Sequence, residues 1–300
     1  MRVLIVGCGY VGLPLAAELA RQGHQVSGLQ RSASDALRAA GVTPLLGDIT
    51  RPETLAGLPR DFDWVVNCAA TGGGSVEDYR RLYFEGTRNL IEWLTSVNGP
   101  SHTIPRFVYT SSTGVYGQND GSLVDETSAT EPASETAQVL VATEKLLLAT
   151  ARESNVPAMI LRASGIYGPD RGYLLKQFLQ GDARIEGAGS RMLNMIHRDD
   201  LIAVIIAALE RGRAGEIYNV VDDEPVSQLD FFRWLATTLD KPMPPVLAKE
   251  TDVPRKRGPT NKRISNRKLH AELGVELKFP DYRSGYASEI QRMGRADLGR

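Results

Sequence analysis

The chain has 300 residues, 42% of them hydrophobic and 24% charged, which excludes fibrous, collagen-like and intrinsically disordered proteins. The length corresponds to about two domains at roughly 150 residues each. Because its 35 basic and 36 acidic side chains nearly cancel, we expect no nucleic-acid partner and no membrane surface as a partner.

The first half of the chain alternates predicted strands and helices. Short apolar runs bounded by turn residues predict strands, and longer amphipathic runs predict helices. The strands are predicted at 3–6, 25–29, 44–45, 64–68, 107–111 and 159–162, and the helices at 13–20, 33–40, 76–93 and 138–151. Such alternation is typical of a parallel sheet covered by helices on both faces. We therefore predict an α/β fold with a Rossmann-type, doubly wound parallel sheet.

Beyond Gly168-Pro169 this regular alternation ends. Helices are predicted at 171–180 and 201–209, and a late strand at 217–221 could return to the main sheet. From Asp222 onward the chain is basic and rich in proline, at positions 242, 244, 245, 254 and 259. These patterns predict a Rossmann-type domain at 1–168, which 194–222 rejoins, and a small, irregular substrate lobe formed by 169–193 and 223–300.

A glycine-rich loop lies between the first predicted strand and the first predicted helix. Its sequence is Gly7-Cys8-Gly9-Tyr10-Val11-Gly12. In such a loop the first glycine permits a tight turn, the second lets the backbone approach a pyrophosphate, and the third allows close packing of helix on strand. The helix N-terminus adds N–H groups and a positive dipole for the phosphates. We therefore predict a dinucleotide site with contacts from Gly7, Gly9, Tyr10, Val11 and Gly12.

The same glycines interrupt the N-terminal apolar run, and Glu18 follows early, so we predict no secretory signal and a cytoplasmic protein. No run of ~18 apolar residues follows that could span a membrane. Cys8 and Cys68 each stand beside Gly or Ala in an apolar run. We predict two buried thiols rather than a disulfide or metal ligands.

The end of the second predicted strand bears on the choice of cofactor. A ribose 2′-hydroxyl is usually held there by a carboxylate, whereas this chain has Gln30-Arg31-Ser32. Arg31 suits a 2′-phosphate, so we predict NADP, with NAD as the alternative and a solvated strand end as the other interpretation of Arg31. Further contacts are predicted after the third and fourth strands, at Asp48, Ile49, Cys68, Ala69 and Ala70.

The order of motifs along nearly the whole chain resembles the extended short-chain dehydrogenase/reductase family, which includes NAD-dependent epimerases and dehydratases of nucleotide sugars. Seven motifs carry the resemblance. They are the loop 7–12, Asp48-Ile49, Asn67-Cys68-Ala69-Ala70, 109–117, the segment from Leu161-Arg162 to Gly168-Pro169, 196–200, and 215–220.

The resemblance also reveals a departure from the family's active site. It places a catalytic hydroxyl at Ser112, with Ser111 beside it as a predicted cofactor contact. The family's Tyr-x-x-x-Lys pair falls at Thr136 and Leu140, so both residues are absent. Between positions 116 and 167 there is no tyrosine, and Lys145 is the only lysine, so no alternative register restores the pair. The match is therefore to an atypical branch of the family.

Two tyrosines follow predicted strands at the edge where ligands bind in such sheets. Tyr116 and Tyr167 are therefore candidates for acid–base chemistry beside Ser112, and packing against the crevice is the alternative. His197, at a predicted helix start beside Asp199 and Asp200, is expected to cap that helix.

The segment 253–271 contains seven basic residues and no carboxylate side chain, namely Arg255, Lys256, Arg257, Lys262, Arg263, Arg267 and Lys268. A solvated loop, a nucleic-acid patch and an anionic-substrate site are the three interpretations. The resemblance favours the last, with Lys262 and Arg263 as predicted substrate contacts.

These observations lead to two functional hypotheses. The first is an atypical reductase or epimerase that acts on a polar small molecule, with an anionic or sugar-nucleotide-like compound as one option. The second is a noncatalytic NADP(H)-binding sensor or scaffold. The resemblance also implies a homodimer, and we predict no metal site.

Overall fold

The computed structural model describes residues 1–32, 34–96, 104–153, 156–247 and 260–298. Strands and helices alternate through the first half, as the sequence predicts. The strands, numbered β1 to β15, are Arg2–Val6, Gln25–Gln30, Thr43–Leu46, Trp64–Asn67, Arg106–Ser112, Asn119–Val124, Ala158–Ala163, Ile166–Tyr167, Ile185–Glu186, Met192–Leu193, Ile196–His197, Ile217–Val220, Val226–Ser227, Val246–Leu247 and Asn261–Ile264. The α-helices, numbered α1 to α10, are Gly12–Arg21, Asp35–Ala39, Val76–Tyr79, Gly86–Thr95, Glu135–Glu153, Tyr173–Leu179, Arg198–Arg211, Gln228–Leu239, Arg267–Leu273 and Tyr282–Leu298.

Seven strands form the central sheet in the order β12-β7-β5-β4-β1-β2-β3. All of their pairings are parallel, so the predicted Rossmann-type doubly wound sheet is confirmed. The late strand β12 lies at one edge beside β7, with Ile217 opposite Ile160. The strand order reverses between β1 and β4, which is where ligands bind in sheets of this kind.

The sheet is buried on both faces because successive side chains of a strand point to opposite sides. Val3 and Ile5 of β1 pack into a core with α1 and α7, whereas Leu4 and Val6 pack into a second core with α4 and α5. This double burial explains why the central strands are continuous apolar runs in the sequence.

The predicted helix 76–93 contains an unpredicted change of winding. Residues Val76–Tyr79 and Gly86–Thr95 are α-helical, and Arg80–Glu85 between them forms a π-helical segment. Gly86 follows this segment, and a Cβ there would lie 2.9 Å from the side chain of Ile49. The helix therefore packs closely on the loop after β3.

The C-terminal region is more regular than the sequence analysis predicts. Outside segment 248–259, the residues after Asp222 form three helices, α8, α9 and α10. Apolar side chains of α6, α8 and α10 form a third core, which includes Phe178, Phe231, Tyr282 and Tyr286. The prolines at 254 and 259 and the basic residues Arg255, Lys256 and Arg257 lie outside the described residues. No helix within the described ranges is long and apolar enough to cross a membrane.

A two-stranded parallel pair brings the C-terminal region to the sheet edge. Strand β15 pairs with β6, with Ile264 opposite Val124. Asn194 fixes the same strand from the other side, because its amide donates to the Lys262 carbonyl at 2.9 Å and its Oδ1 accepts from the Ile264 amide at 2.9 Å. Residues 261–264 are therefore held by β6 and by Asn194.

Candidate functional site

A cleft of about 1760 Å³ runs along the carboxyl ends of the central strands. The loops after β1 to β5 form one wall, and residues 191–195 and 260–264 contribute to the other. Typical small-molecule pockets have volumes of roughly 300–1,000 Å³. The cleft is therefore large enough for a dinucleotide and a second molecule together.

The glycine-rich loop has the geometry that a pyrophosphate site needs. Gly7 has a φ of +85°, and a Cβ there would lie 2.6 Å from the Ala69 backbone. A Cβ at Gly12 would lie 2.1 Å from the Gly7 carbonyl oxygen, which fixes the close approach of α1 to β1. At Gly9, by contrast, nothing lies within 4 Å of the added Cβ. The loop thus packs tightly at its ends and leaves open space at its middle, so these residues fit a dinucleotide pyrophosphate.

Tyr10 and Val11 complete the loop, and both line the cleft. The Tyr10 ring lies 4.9 Å from the Arg171 guanidinium and 5.4 Å from that of Arg198. Its hydroxyl has no hydrogen-bond partner among the described residues. Burial raises the pKa of Tyr10 to about 12, so the group is a neutral donor at physiological pH.

The loops after β2 and β3 form the other end of the predicted dinucleotide site. Arg31 is exposed and lines the cleft, and so does Arg51, which the sequence analysis did not single out. Asp48 also lines the cleft, but its carboxylate accepts from the Thr50 amide at 2.9 Å and shapes the turn. Ile49 is buried beside it. Two arginines, rather than an arginine alone, therefore face this end of the cleft.

The segment after β4 gives the cleft a wall of small side chains. Cys68, Ala69 and Ala70 all line it, and the Ala69 amide donates to Asn67 Oδ1 at 3.1 Å. Cys8 and Cys68 are free thiols, and burial raises the pKa of each to about 12. Both therefore stay protonated and unreactive. Within the described ranges no three His, Cys, Asp or Glu side chains are grouped to hold a metal ion.

The hydroxyl candidates at the end of β5 lie in the cleft wall. Ser112 lines the cleft, and its Oγ accepts from the Gly114 amide at 3.1 Å. Ser111 also lines it, but its Oγ donates to Glu144 at 2.5 Å. Leu140, where the family resemblance places a lysine, lines the cleft with an apolar side chain, whereas Thr136, the corresponding tyrosine position, lies outside the lining.

Tyr116 is placed differently from the prediction. It does not line the cleft and is fully buried. Its hydroxyl accepts from Arg162 Nη1 at 2.7 Å and donates to Asn219 Oδ1 at 2.8 Å. Arg162 in turn forms a buried ion pair with Glu144, with Nη2 and Oε2 2.7 Å apart. Burial raises the pKa of Tyr116 although Arg162 opposes this, so the hydroxyl serves a core network rather than the cleft.

Tyr167, unlike Tyr116, lines the cleft. Its ring stacks on Tyr286, with centroids 4.2 Å apart, and meets His197 edge-on at 5.3 Å. The hydroxyl lies against Gly285 and has no hydrogen-bond partner among the described residues. Burial raises the pKa of Tyr167 far above its ordinary value, so this hydroxyl can donate a hydrogen bond but does not ionise. His197 caps α7, as its sequence position predicts, by accepting from the Asp199 amide at 3.2 Å.

The two basic residues predicted to contact substrate point in opposite directions. Lys262 is 5% exposed and lines the cleft, and its Nζ donates to the Tyr116 carbonyl at 2.8 Å. Arg263 is exposed outside the cleft, where its Nε donates to the Gly121 carbonyl at 3.1 Å. The prediction for Arg263 is therefore wrong, because adjacent residues of a strand face opposite sides.

Cationic groups outnumber carboxylates in the lining of the cleft. Within the described ranges, the cationic groups are Arg31, Arg51, Arg81, Arg171, Arg191 and Lys262, and the carboxylates are Asp48 and Asp78. Asp78 is engaged with Ser75 and Arg81. The cleft is therefore positive and suited to anionic occupants. The sequence analysis missed Arg81, Arg171 and Arg191, since a scattered arginine carries no motif.

Comparison with known proteins gives three curated or solved relatives of particular interest. The chain is 29% identical to protein YeeZ of Escherichia coli K12 over 93% of this chain and 97% of the relative. It is 31% identical to a 3-beta-hydroxysteroid dehydrogenase of Mycolicibacterium neoaurum over 81% of this chain and 71% of the relative. A solved structure from Methylobacillus flagellatus, described as an NAD-dependent epimerase/dehydratase, is 33% identical over 97% and 98% of the two chains, with a TM-score of 0.76.

The fold is shared more widely. The dTDP-glucose 4,6-dehydratase of Bacillus anthracis, solved in complex with NAD, superposes with a TM-score of 0.81 over 98% of this chain and 96% of that chain, at 20% identity. A family model, that of the NAD-dependent epimerase/dehydratase family, matches residues 3–221, which span the whole central sheet and the glycine-rich loop. The chain therefore belongs to the NAD-dependent epimerase/dehydratase family.

Proposed function

We propose that this chain is an NAD(P)-dependent oxidoreductase or epimerase that acts on a small, polar, anionic carbonyl or alcohol. The observation that carries the proposal is that one positive cleft is lined both by the glycine-rich loop and by Ser112 and Lys262. A dinucleotide and a polar substrate can therefore occupy the same cleft.

We further propose that NADP is the preferred dinucleotide. Arg31 and Arg51 both line the end of the cleft beside β2 and β3. Asp48, the carboxylate at this end, is held by Thr50 and shapes the turn instead of presenting both oxygens to a ribose. Two guanidinium groups suit a 2′-phosphate because charge-assisted hydrogen bonds to phosphate are strong and can be bidentate.

When bound in this cleft, a nicotinamide dinucleotide would provide the hydride chemistry at a carbon of the substrate. The residues of the chain bind and orient the two molecules. Gly9 leaves space for the pyrophosphate, and α1 begins at Gly12 directly after the loop, where a helix N-terminus favours an anion. Ser112 holds the substrate oxygen by a hydrogen bond, while its own position is fixed by the Gly114 amide. Arg191, in the lining of the cleft, attracts the anionic part of the substrate.

Two measurements test this proposal. Fluorescence titration with NADPH and NADH should show tighter binding of NADPH. A panel of small ketones bearing a carboxylate or phosphate should include compounds that support NADPH oxidation, and Ser112→Ala should lower kcat roughly tenfold, as expected for the loss of one hydrogen bond to the substrate oxygen. Ser122→Ala, on β6 outside the cleft lining, is the matched control. Binding of NADPH without turnover of any panel member would refute an oxidoreductase.

A second function has one specific observation in its favour. Leu140 presents an apolar side chain to the cleft where family members carry their lysine, which suits a protein that binds NADP(H) as a sensor or scaffold. Such a sensor must distinguish the two redox states. Equal affinities for NADP and NADPH, with the same protein partners bound in both states, would exclude it.

A further inference from the structure

Lys262 is a buried ammonium that faces the cleft and has few partners. It is 5% exposed, and its Nζ donates one hydrogen bond, to the Tyr116 carbonyl at 2.8 Å. An ammonium group has three N–H donors. Within the described ranges, no carboxylate lies within 4 Å of Nζ, and no second acceptor is recorded. A group that is both buried and incompletely bonded is costly to maintain, so its presence in a ligand cleft points to a role toward the ligand.

The position of Lys262 brings it close to the proposed reaction site. Alternate residues of the strand region, Thr260, Lys262 and Ile264, line the cleft, whereas Arg263 faces outward. The acceptor of Lys262, the Tyr116 carbonyl, ends the 3₁₀ turn that begins after Ser112. Ser112 and Lys262 both line the same cleft, so one substrate can contact both side chains.

The carboxylates on the elements around Lys262 have other partners. On β6, Asp120 accepts from the Ser122 amide. Beside β10, Arg191 lines the same cleft as Lys262, and its Nε lies 3.8 Å from a Glu186 carboxylate oxygen. Glu126, which follows β6, accepts from the Asn219 amide.

Two further ionisable groups near this region belong to the core network. Tyr116 directs its hydroxyl to Asn219 and Arg162, away from its own carbonyl, and Glu144 pairs with Arg162. With no close carboxylate to stabilise its charge, burial lowers the pKa of Lys262 to about 8. Such a value is close to the range in which a group can both hold and release a proton during turnover.

We propose that Lys262 is the proton donor and acceptor of this cleft, in the place of the absent tyrosine and lysine. In the reducing direction, a hydride from a C–H bond of the reduced nicotinamide would add to the carbonyl carbon, the C=O π bond would break, and the Lys262 ammonium would transfer a proton to the oxygen. The product is an alcohol, the nicotinamide is oxidised, and the neutral amine regains a proton from water. The reverse direction uses the neutral amine as the base. This inference rests on the proposed oxidoreductase function.

The first experiment measures Lys262 without any turnover. Side-chain ¹³C–¹⁵N NMR of lysine-labelled protein, with the signal assigned by its loss in Lys262→Arg, gives the titration midpoint directly. We expect a midpoint near pH 8 for Lys262. A midpoint for Lys262 at the ordinary lysine value would overturn the proposal.

The second experiment separates proton transfer from binding. Acetoacetate and dihydroxyacetone phosphate, two anionic ketones, serve as probes in NADPH oxidation. Lys262→Met should lower kcat by roughly 10²- to 10⁴-fold and abolish the fall in rate above pH 8. Lys262→Arg keeps the positive charge but cannot release a proton at these pH values, so it should restore KM without restoring kcat. Arg263→Met, on the outer face of the same strand, is the matched control and should behave as the wild type.

The outcomes distinguish the two levels of the argument. If the wild type binds NADPH but reduces neither probe nor any other ketone of the panel, the proposed function fails. If the wild type is active and Lys262→Met retains its kcat and pH profile, the proposed function stands and the inference about Lys262 is wrong. Recovery of kcat in Lys262→Arg would likewise refute proton transfer and assign Lys262 to substrate binding.

Discussion

Lys262→Met should be more stable than the wild type at neutral pH. This difference in stability should shrink as the pH rises into the alkaline range. The side chain is 5% exposed, and no carboxylate in the described ranges lies within 4 Å of its ammonium. Methionine has a similar length and fills the same space without a charge. The prediction therefore isolates the cost of burying the ammonium.

The magnitude follows from the pKa. A fall from the ordinary 10.5 to about 8 means that the folded state disfavours the charged form by about 3 kcal/mol, at ~1.36 kcal/mol per pH unit. The substitution leaves the Tyr116 carbonyl without its Lys262 partner, which costs about 1–3 kcal/mol. The net gain of Lys262→Met at pH 7 is therefore between about 0 and 2 kcal/mol.

The pH dependence is the sharper expectation. The pKa of Lys262 is lower in the folded than in the unfolded state, so between about pH 8 and 10.5 the unfolded state binds more protons. The free energy of unfolding of the wild type consequently rises with pH through this window. Below the window, the full cost of burying the charged Lys262 ammonium is present. Between pH 7 and 9.5 the wild type should gain about 2 kcal/mol relative to Lys262→Met.

Urea denaturation at pH 7.0, 8.5 and 9.5 measures this difference, because all other titrating groups are common to both proteins. Arg263→Met serves as the control and should show a difference from the wild type that is independent of pH. If the difference in unfolding free energy between Lys262→Met and the wild type stays constant from pH 7.0 to 9.5, the claim that folding lowers the pKa of Lys262 is refuted. Such a result would also remove the physical basis for the proposed catalytic role of Lys262.

Three further predictions concern the core network and the dinucleotide site. Glu144→Gln leaves its buried arginine partner uncompensated and should lower the unfolding free energy by about 3–5 kcal/mol in urea denaturation; a change below about 1 kcal/mol would contradict this. Gly12→Ala places a Cβ 2.1 Å from the Gly7 carbonyl oxygen and should abolish NADPH binding by titration, whereas Gly57→Ala, in open space, should bind normally. Arg31→Ala should reduce the preference for NADPH over NADH roughly 10- to 100-fold, and unchanged dissociation constants would exclude a 2′-phosphate contact.

The central sheet could be predicted because its information is local. Strands buried on both faces are apolar runs, and Val3 to Val6 of β1 and Ala158 to Ala163 of β7 are clear examples. The pair β6 and β15 escaped prediction because its sequences are mostly polar and each strand is fixed by partners far along the chain. Helix α10 was also missed.

The same distinction between local and long-range information applies to the candidate site. The glycine-rich loop is a contiguous motif, so its tight ends and open middle follow from the sequence alone. The direction in which a side chain points at the end of a strand does not follow from the sequence alone. Tyr116 and Tyr167 both follow strands. Tyr116 lies in the core, where its hydroxyl accepts from Arg162, whereas Tyr167 stacks on Tyr286 in the cleft wall. For Lys262 and Arg263, the basic composition indicated a role, but only the pairing of β15 decides which of the two faces the cleft.

Lys262 lies on a short strand, whereas the lysine that the family resemblance implies would lie on a helix. The family resemblance places a lysine at Leu140 on α5, a helix that packs against the sheet. Lys262 instead belongs to a short strand held by Asn194 and by β6. A proton donor on this strand reaches the substrate oxygen only when the C-terminal region is docked on the sheet edge. Weakening that docking through Asn194→Ala should therefore lower kcat more than it raises the dissociation constant for NADPH, since the dinucleotide loop lies on β1 and α1, apart from the strand that Asn194 holds.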